Sequence, residues 1–195
     1  MGITGGIASG KSVVARILRE MGFHVIDADR LGHVLMEPGT RAFGEIVAEF
    51  GAGVLGGDER IDRGKLGNLV FADAGKLERL NAILHPRVEE EMVRQFGAWE
   101  REGVKDAAFV EAALLVEAGY QNNLDGLVVA WCRPEQQMER LLARGLSEAE
   151  ARKRIAAQMP AEEKLKFATE KIDCSGTLEW TRKQVEELAG RLKAK

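Results

Sequence analysis

The chain has 195 residues, 45% of them hydrophobic and 30% charged, and 28 Lys and Arg against 31 Asp and Glu leave a net charge of −3. That balance excludes general disorder and a broad basic footprint for nucleic acid, and it fits one domain, with or without inserted subdomains, able to bury about 70% of its unfolded surface. Cys132 and Cys174 form no CxxC pair and no run approaches the roughly 18 apolar residues of a membrane span, so the expectation is a cytoplasmic chain with two buried thiols and neither a zinc set nor a membrane anchor.

Short apolar runs alternate with amphipathic stretches, the pattern of an α/β fold with a parallel sheet. Strands are expected at Gly2–Thr4, Phe23–Ile26, Ala107–Glu111, Leu127–Trp131 and, weakly, Lys171–Asp173. Val13, Val14, Ile17, Leu18 and Met21 recur at helical spacing, which predicts a helix from Lys11 to Met21 that stops at Gly22. The following residues, 33–103, read as a helical insertion. Phe43, Ile46, Val47 and Phe50 mark one helix, Leu77, Leu80, Ile83 and Leu84 a second that ends before Pro86, and Val88, Met92, Phe96 and Trp99 a third, with Gly51–Gly57 as a flexible loop between them. Past the fourth strand, Pro134–Arg144 is helical and Ser147 with Glu150 spells a capping box for another, highly charged helix. That pair is either a mobile lid or a solvated surface hairpin. A last helix carries Leu178, Val185, Leu188 and Leu192.

The chemistry begins at Gly5-Gly6-Ile7-Ala8-Ser9-Gly10-Lys11-Ser12, which fits G-x-x-x-x-G-K-[ST] directly after a strand and directly before a helix. In such a loop backbone N–H groups turn inward around phosphate oxygens, Lys11 neutralises β- and γ-phosphate charge, and the Ser12 hydroxyl can ligate Mg²⁺. The same loop explains Gly2 better than myristoylation does. Asp27 and Asp29 close the second strand, where ligands of open parallel sheets bind, so one can take a proton from an attacking hydroxyl and the other can help hold Mg²⁺ or the acceptor. Asp29-Arg30-Leu31-Gly32 also spells the DxxG of GTP-binding switches. It precedes any third strand, however, and Asn122-Asn123-Leu124-Asp125 lacks the lysine of a guanine-reading NKxD.

The loop TGGIASGKS at residues 4–12, VIDAD at 25–29, Leu84-His85-Pro86, Ala113-Leu114-Leu115-Val116-Glu117 and Arg154-Ile155-Ala156-Ala157-Gln158 occur in this order across nearly the whole chain. In this the sequence resembles the bacterial dephospho-coenzyme A kinases. The resemblance implies transfer of the ATP γ-phosphoryl group to the ribose 3′-hydroxyl of dephospho-coenzyme A, the last step of coenzyme A synthesis. It implies a P-loop NTPase-type three-layer fold with a five-stranded parallel sheet, in which residues 1–32, 104–137 and 160–195 form the nucleotide-binding core, 33–103 a helical acceptor domain and 138–159 a helical lid.

Carried over by position, the resemblance makes Asp29 the base, with Lys11 and Arg144 as its catalytic companions. It gives ATP to Gly6, Ile7, Ala8, Ser9, Gly10, Lys11, Ser12 and Val13 together with the lid arginines Arg140 and Arg144. Thr4, Asp29, Arg63, His85, Leu115 and Glu117 fall to the acceptor, and Ser12 to Mg²⁺. Family members often read Asn-Asn-Gly near the fifth strand where this chain has Cys174-Ser175-Gly176. The other readings to be weighed are a nucleoside or nucleotide kinase on the same core and a GTP-binding switch protein.

Overall fold

The computed structural model describes residues 1–193. In chain order the elements begin with β1 (Gly2–Thr4), α1 (Lys11–Glu20), β2 (Val25–Asp27), α2 (Ala28–Leu35), α3 (Arg41–Phe50), α4 (Arg63–Phe71) and α5 (Ala74–Arg101). They continue with β3 (Phe109–Glu111), β4 (Leu127–Trp131), α6 (Pro134–Ala143), α7 (Glu148–Ala156), α8 (Ala161–Lys164), β5 (Glu170–Asp173) and α9 (Leu178–Lys193). The chain divides into two compact units, one made of Met1–Asp27 and the chain from Lys105 onward, the other of Ala28–Val104. A boundary after residue 32, as the sequence suggested, falls inside α2; a helix forms cooperatively, so the division lies at its first residue instead.

In the first unit the strands form one parallel sheet in the order β2-β3-β1-β4-β5. Leu127, Val128, Val129 and Ala130 of β4 are all buried, the continuous apolar run of a strand covered on both faces. α1 buries Val14, Ala15, Ile17 and Leu18 and ends in a Schellman turn: Gly22 has φ of 91° and the Phe23 N–H donates to Leu18 O at 3.0 Å. Phe23 then packs edge-on to Phe109 with ring centroids 5.7 Å apart. These residues join Ile3, Val128, Ile172, Val185 and Leu188 in the core. Because all strands run the same way, their carboxyl ends Thr4, Asp27, Glu111, Trp131 and Asp173 share one edge of the sheet.

Two expected strands start later than the apolar pattern does. β2 begins at Val25 rather than Phe23, and β3 at Phe109 rather than Ala107, because Phe23 is spent on the helix stop and pairing begins where the Phe109 N–H reaches His24 O at 2.8 Å.

The helical unit is built on α5, 28 residues long, which packs against α2, α3 and α4. Pro86 lies inside it and does not end it, so the second and third predicted helices are one. A proline costs an i→i−4 bond and about 3 kcal/mol, and the apolar face that runs through the break outweighs this: Leu77, Leu80, Ile83 and Leu84 all pack into the cluster of Ile46, Val54, Ile61, Leu66 and Val70, and Met92 is buried beyond the proline. The Gly51–Gly57 stretch is also more ordered than its glycines suggested. It holds a 3-10 turn at Ala52–Val54 and an antiparallel bridge from Leu55 to Ile61.

Candidate active site

β1 ends at Thr4, and the chain turns through Gly5–Gly10 into α1. A Cβ on Gly5 would lie 2.3 Å from Ala130 O and 2.5 Å from Ser9 Oγ, and one on Gly10, whose φ is 108°, would lie 2.7 Å from Cys174 Sγ. The loop therefore needs glycine at both ends for close approach. Ala8 sits in the left-handed region at φ 58°, a strained position for a side chain with a Cβ and one that its surroundings must hold. They do so through its neighbour and its own carbonyl: Gln137 Nε2 donates to Ile7 O at 2.8 Å, the Ile7 N–H donates to Gln158 Oε1 at 2.6 Å, and Arg140 Nη1 donates to Ala8 O at 3.0 Å. α1 has no acidic residue in its first turn, so the positive end of its dipole is left for an anion.

Lys11 is held from below. Its Nζ lies 3.2 Å from Glu111 Oε1, and Arg19 Nη2 lies 3.3 Å from Glu111 Oε2, with the Glu111 side chain only 3% exposed. The buried carboxylate fixes the ammonium at the sheet edge, where a point charge on a flexible stem would otherwise wander. Ser9 Oγ and Ser175 Oγ are buried with no hydrogen-bond partner among the described residues. Between their segments opens a cavity of about 260 Å³ lined by Gly10, Val13, Arg140, Arg144, Cys174 and Thr177 among others. Small-molecule sites hold roughly 300–1,000 Å³, so this recess accepts part of a ligand, of the size of a nucleotide base. A glycine-built loop at a helix N-terminus, a fixed cation and an adjoining recess together suit a nucleoside polyphosphate.

The family model of dephospho-CoA kinase matches residues 1–179. The chain belongs to the dephospho-CoA kinase family. It is a kinase, a phosphoryl transferase on the phosphate-loop core. The chain is 49% identical to the dephospho-CoA kinase of Symbiobacterium thermophilum over 95% of its own length and 78% of the relative's. It is 46% identical to that of Geobacter sulfurreducens over 96% and 95%. Among solved structures it is similar to TT1252 from Thermus thermophilus, with a TM-score of 0.84 at 36% identity, covering 98% of this chain and 96% of that one. It is also similar to the dephospho-CoA kinase of Campylobacter jejuni, with a TM-score of 0.73 at 28% identity over 99% and 96%.

Within this kinase fold the residues named from sequence fall into two groups. Thr4, Gly6–Val13, Leu115, Glu117, Arg140 and Arg144 lie in the sheet unit, and Asp29, Arg63 and His85 in the helical unit. Arg144 is exposed at the C-cap of α6 and lines the recess. Arg140 also lines it, but two of its donors are spent on the backbone, at Ala8 O and, at 2.7 Å, Cys174 O; its first task is to join the loop to the end of β5. Asp29 is exposed in the first turn of α2. Arg63 is exposed as the first residue of α4, where a cation opposes the helix dipole and fold stability gains nothing from it. His85 is exposed in mid-helix, not at a helix end.

Two expected acceptor residues are otherwise occupied. Leu115 is 3% exposed, and its Cδ1 lies 3.0 Å from where a Cβ on Gly2 would stand, so its side chain packs beneath β1. Glu117 Oε1 pairs with Lys164 Nζ at 2.8 Å and accepts the Met159 N–H at 3.0 Å. The sequence reading missed Glu111, Gln137 and Lys164. The signal for Glu111 was present: an acid closing the apolar run AAFV can be buried only with a cationic partner.

Cys174, beside the recess, has its thiol pushed up to about 11 by burial. Among the described residues no helix is long and apolar enough to cross a membrane, and no group of three His, Cys, Asp or Glu could hold a metal.

Proposed function

We propose that this protein is a cytoplasmic enzyme transferring the γ-phosphoryl group of ATP to the ribose 3′-hydroxyl of dephospho-coenzyme A. The observation that carries the reading is the phosphate loop with Lys11 anchored on the buried Glu111, in a chain of this family. The loop and helix N-terminus at residues 6–13 hold the phosphates, and the base occupies the recess beside Cys174 and Thr177. Lys11 and Arg144 face the charge that spreads over the transferring group.

Ser12, exposed as the second residue of α1, would hold Mg²⁺ by its hydroxyl. One protein oxygen suffices there, because this ion usually keeps several waters and binds phosphate oxygens for the rest. When bound it neutralises charge on the β- and γ-phosphates.

On the acceptor side, Asp29 takes the proton of the 3′-hydroxyl as its oxygen bonds to the γ-phosphorus, and the β–γ bridging oxygen leaves with ADP. Arg63 and His85 serve the anionic acceptor, whereas Thr4, buried with its hydroxyl donating to Ala113 O at 3.2 Å, supports the end of β1 instead. Closure of residues 138–159 keeps water from the γ-phosphoryl group. The test is a direct assay with dephospho-coenzyme A beside a panel of nucleosides and nucleotides, the product being located by phosphorus NMR. Phosphate on the ribose 3′-oxygen supports the proposal; preferential phosphorylation of a nucleoside overturns it.

A further inference from the structure

Lys164 is 0% exposed, yet it takes no part in the chemistry above. Its Nζ lies 2.8 Å from Glu117 Oε1 and donates to Ala113 O at 2.6 Å, and the same carbonyl accepts from Thr4 Oγ1 at 3.2 Å. Glu117 Oε1 in turn receives the Met159 N–H. The residue before Met159 is Gln158, whose Oε1 receives the Ile7 N–H of the phosphate loop at 2.6 Å. A continuous chain of polar contacts thus leads from a buried ammonium to the backbone of the loop. The lysine of this pair is buried but the Glu117 side chain is 23% exposed, so the pair adds little to stability, and what it supplies here is direction.

Ile7 is gripped from both sides, its carbonyl by Gln137 and its N–H by Gln158, next to the strained Ala8. Gln137 stands on α6, where the helix fixes it. Gln158 stands just past the α7 C-cap, its own N–H held by a single i−3 bond to Ile155 O at 3.2 Å. On its far side the chain is fixed by its neighbour's bond to Glu117, itself held by Lys164.

We propose that Gln158 is a positioning residue of the phosphate loop and that the Lys164–Glu117 pair sets it in place, so that ATP affinity depends on a contact made at the end of the lid. The proposal rests on the kinase reading for its substrate but is read out on ATP itself. Gln158→Leu keeps the bulk and removes the acceptor. Loss of one such hydrogen bond should raise the Kd and KM for ATP roughly fivefold, because a hydrogen bond contributes about 1 kcal/mol, while the KM for dephospho-coenzyme A stays within about twofold. Glu117→Leu should produce the same ATP-selective change, and Glu117→Gln, which keeps an acceptor for the Met159 N–H, should restore most of it. The double variant Gln158→Leu/Glu117→Leu should be no worse than either single one, since both break the same chain of contacts.

Calorimetry with ATP alone gives Kd without relying on any acceptor, so failure to phosphorylate dephospho-coenzyme A sinks the kinase reading and leaves this inference still measurable. If Glu117→Leu does not fold, Gln158→Leu, which removes a partly exposed side chain, decides the matter. An unchanged or tighter ATP Kd for Gln158→Leu overturns the proposal, as does a Glu117→Leu effect confined to the acceptor KM.

Discussion

Lys11 Nζ and Glu111 Oε1 stand 3.2 Å apart, and the lysine side chain is 13% exposed, so the phosphate-loop cation is part of the packed structure and not a solvated loop residue. Removing it leaves a buried carboxylate with Arg19 as its remaining cation among the described residues. Lys11→Ala should lose most phosphoryl transfer and still melt cooperatively, but with about 1–3 kcal/mol less stability, the cost of depriving a buried acceptor of one partner. For a chain of this length that is a fall of about 2–4 °C in Tm per kcal/mol, visible by calorimetry. An unchanged Tm would show that the Glu111 contact carries no weight.

The two arginines of α6 should separate. Arg140→Ala removes the donors that hold Ala8 O and Cys174 O, so it should lower Tm and raise the KM for ATP together. Arg144→Ala, at an exposed cap, should leave Tm in place and lower kcat more than it weakens acceptor binding. Hydrogen exchange over residues 138–159 should slow when nucleotide binds. Equal protection with and without ATP would mark this segment as a static hairpin.

What the sequence revealed followed from what periodicity and local chemistry record. The loop at residues 5–12 was legible because glycine spacing, a preceding strand and a following helix are all local features. The Ser147–Glu150 capping box was legible for the same reason. Helix α5 was misread at Pro86 because a proline's cost is local, whereas the packing of Leu77, Leu80, Ile83 and Leu84 that overrides it is tertiary. Lys164 was invisible for a related reason. In AEEKLK it looks like any solvated charge, and only Glu117 and the Ala113 carbonyl, brought up from a distant segment, make it a buried one.

Alkaline pH offers a check on Cys174. Burial raises its thiol from 9.0 to about 11 in the fold, so the folded state keeps its proton where the unfolded chain has lost it. Stability from this group is fully present below about pH 9 and is lost as pH rises from 9 towards 11. Cys174→Ala should flatten that limb of a Tm-against-pH curve and leave the limb below pH 8 parallel to the parent's. A parent curve already flat across that window would contradict the burial argument.

Asp29, rather than Asp27, is the proposed base, and the register bears on the choice. Asp27 ends β2 directly beside Glu111 on β3, the same Glu111 that holds Lys11, so its place is with the cation and phosphate end of the sheet. Asp29 lies two residues on, exposed in the first turn of α2, beyond the end of the sheet strand. Phosphoryl transfer through a loose transition state asks for modest proton abstraction, so the residue chiefly orients the hydroxyl. Asp29→Asn keeps the size and removes the proton acceptor. It should bind ATP and dephospho-coenzyme A nearly as the parent does and transfer phosphate at least about a hundredfold more slowly, within the usual range for a lost general base. Asp27→Asn should instead weaken the use of Mg-ATP, with a raised metal requirement. If Asp29→Asn turns over like the parent while Asp27→Asn is dead at saturating magnesium, the base is Asp27.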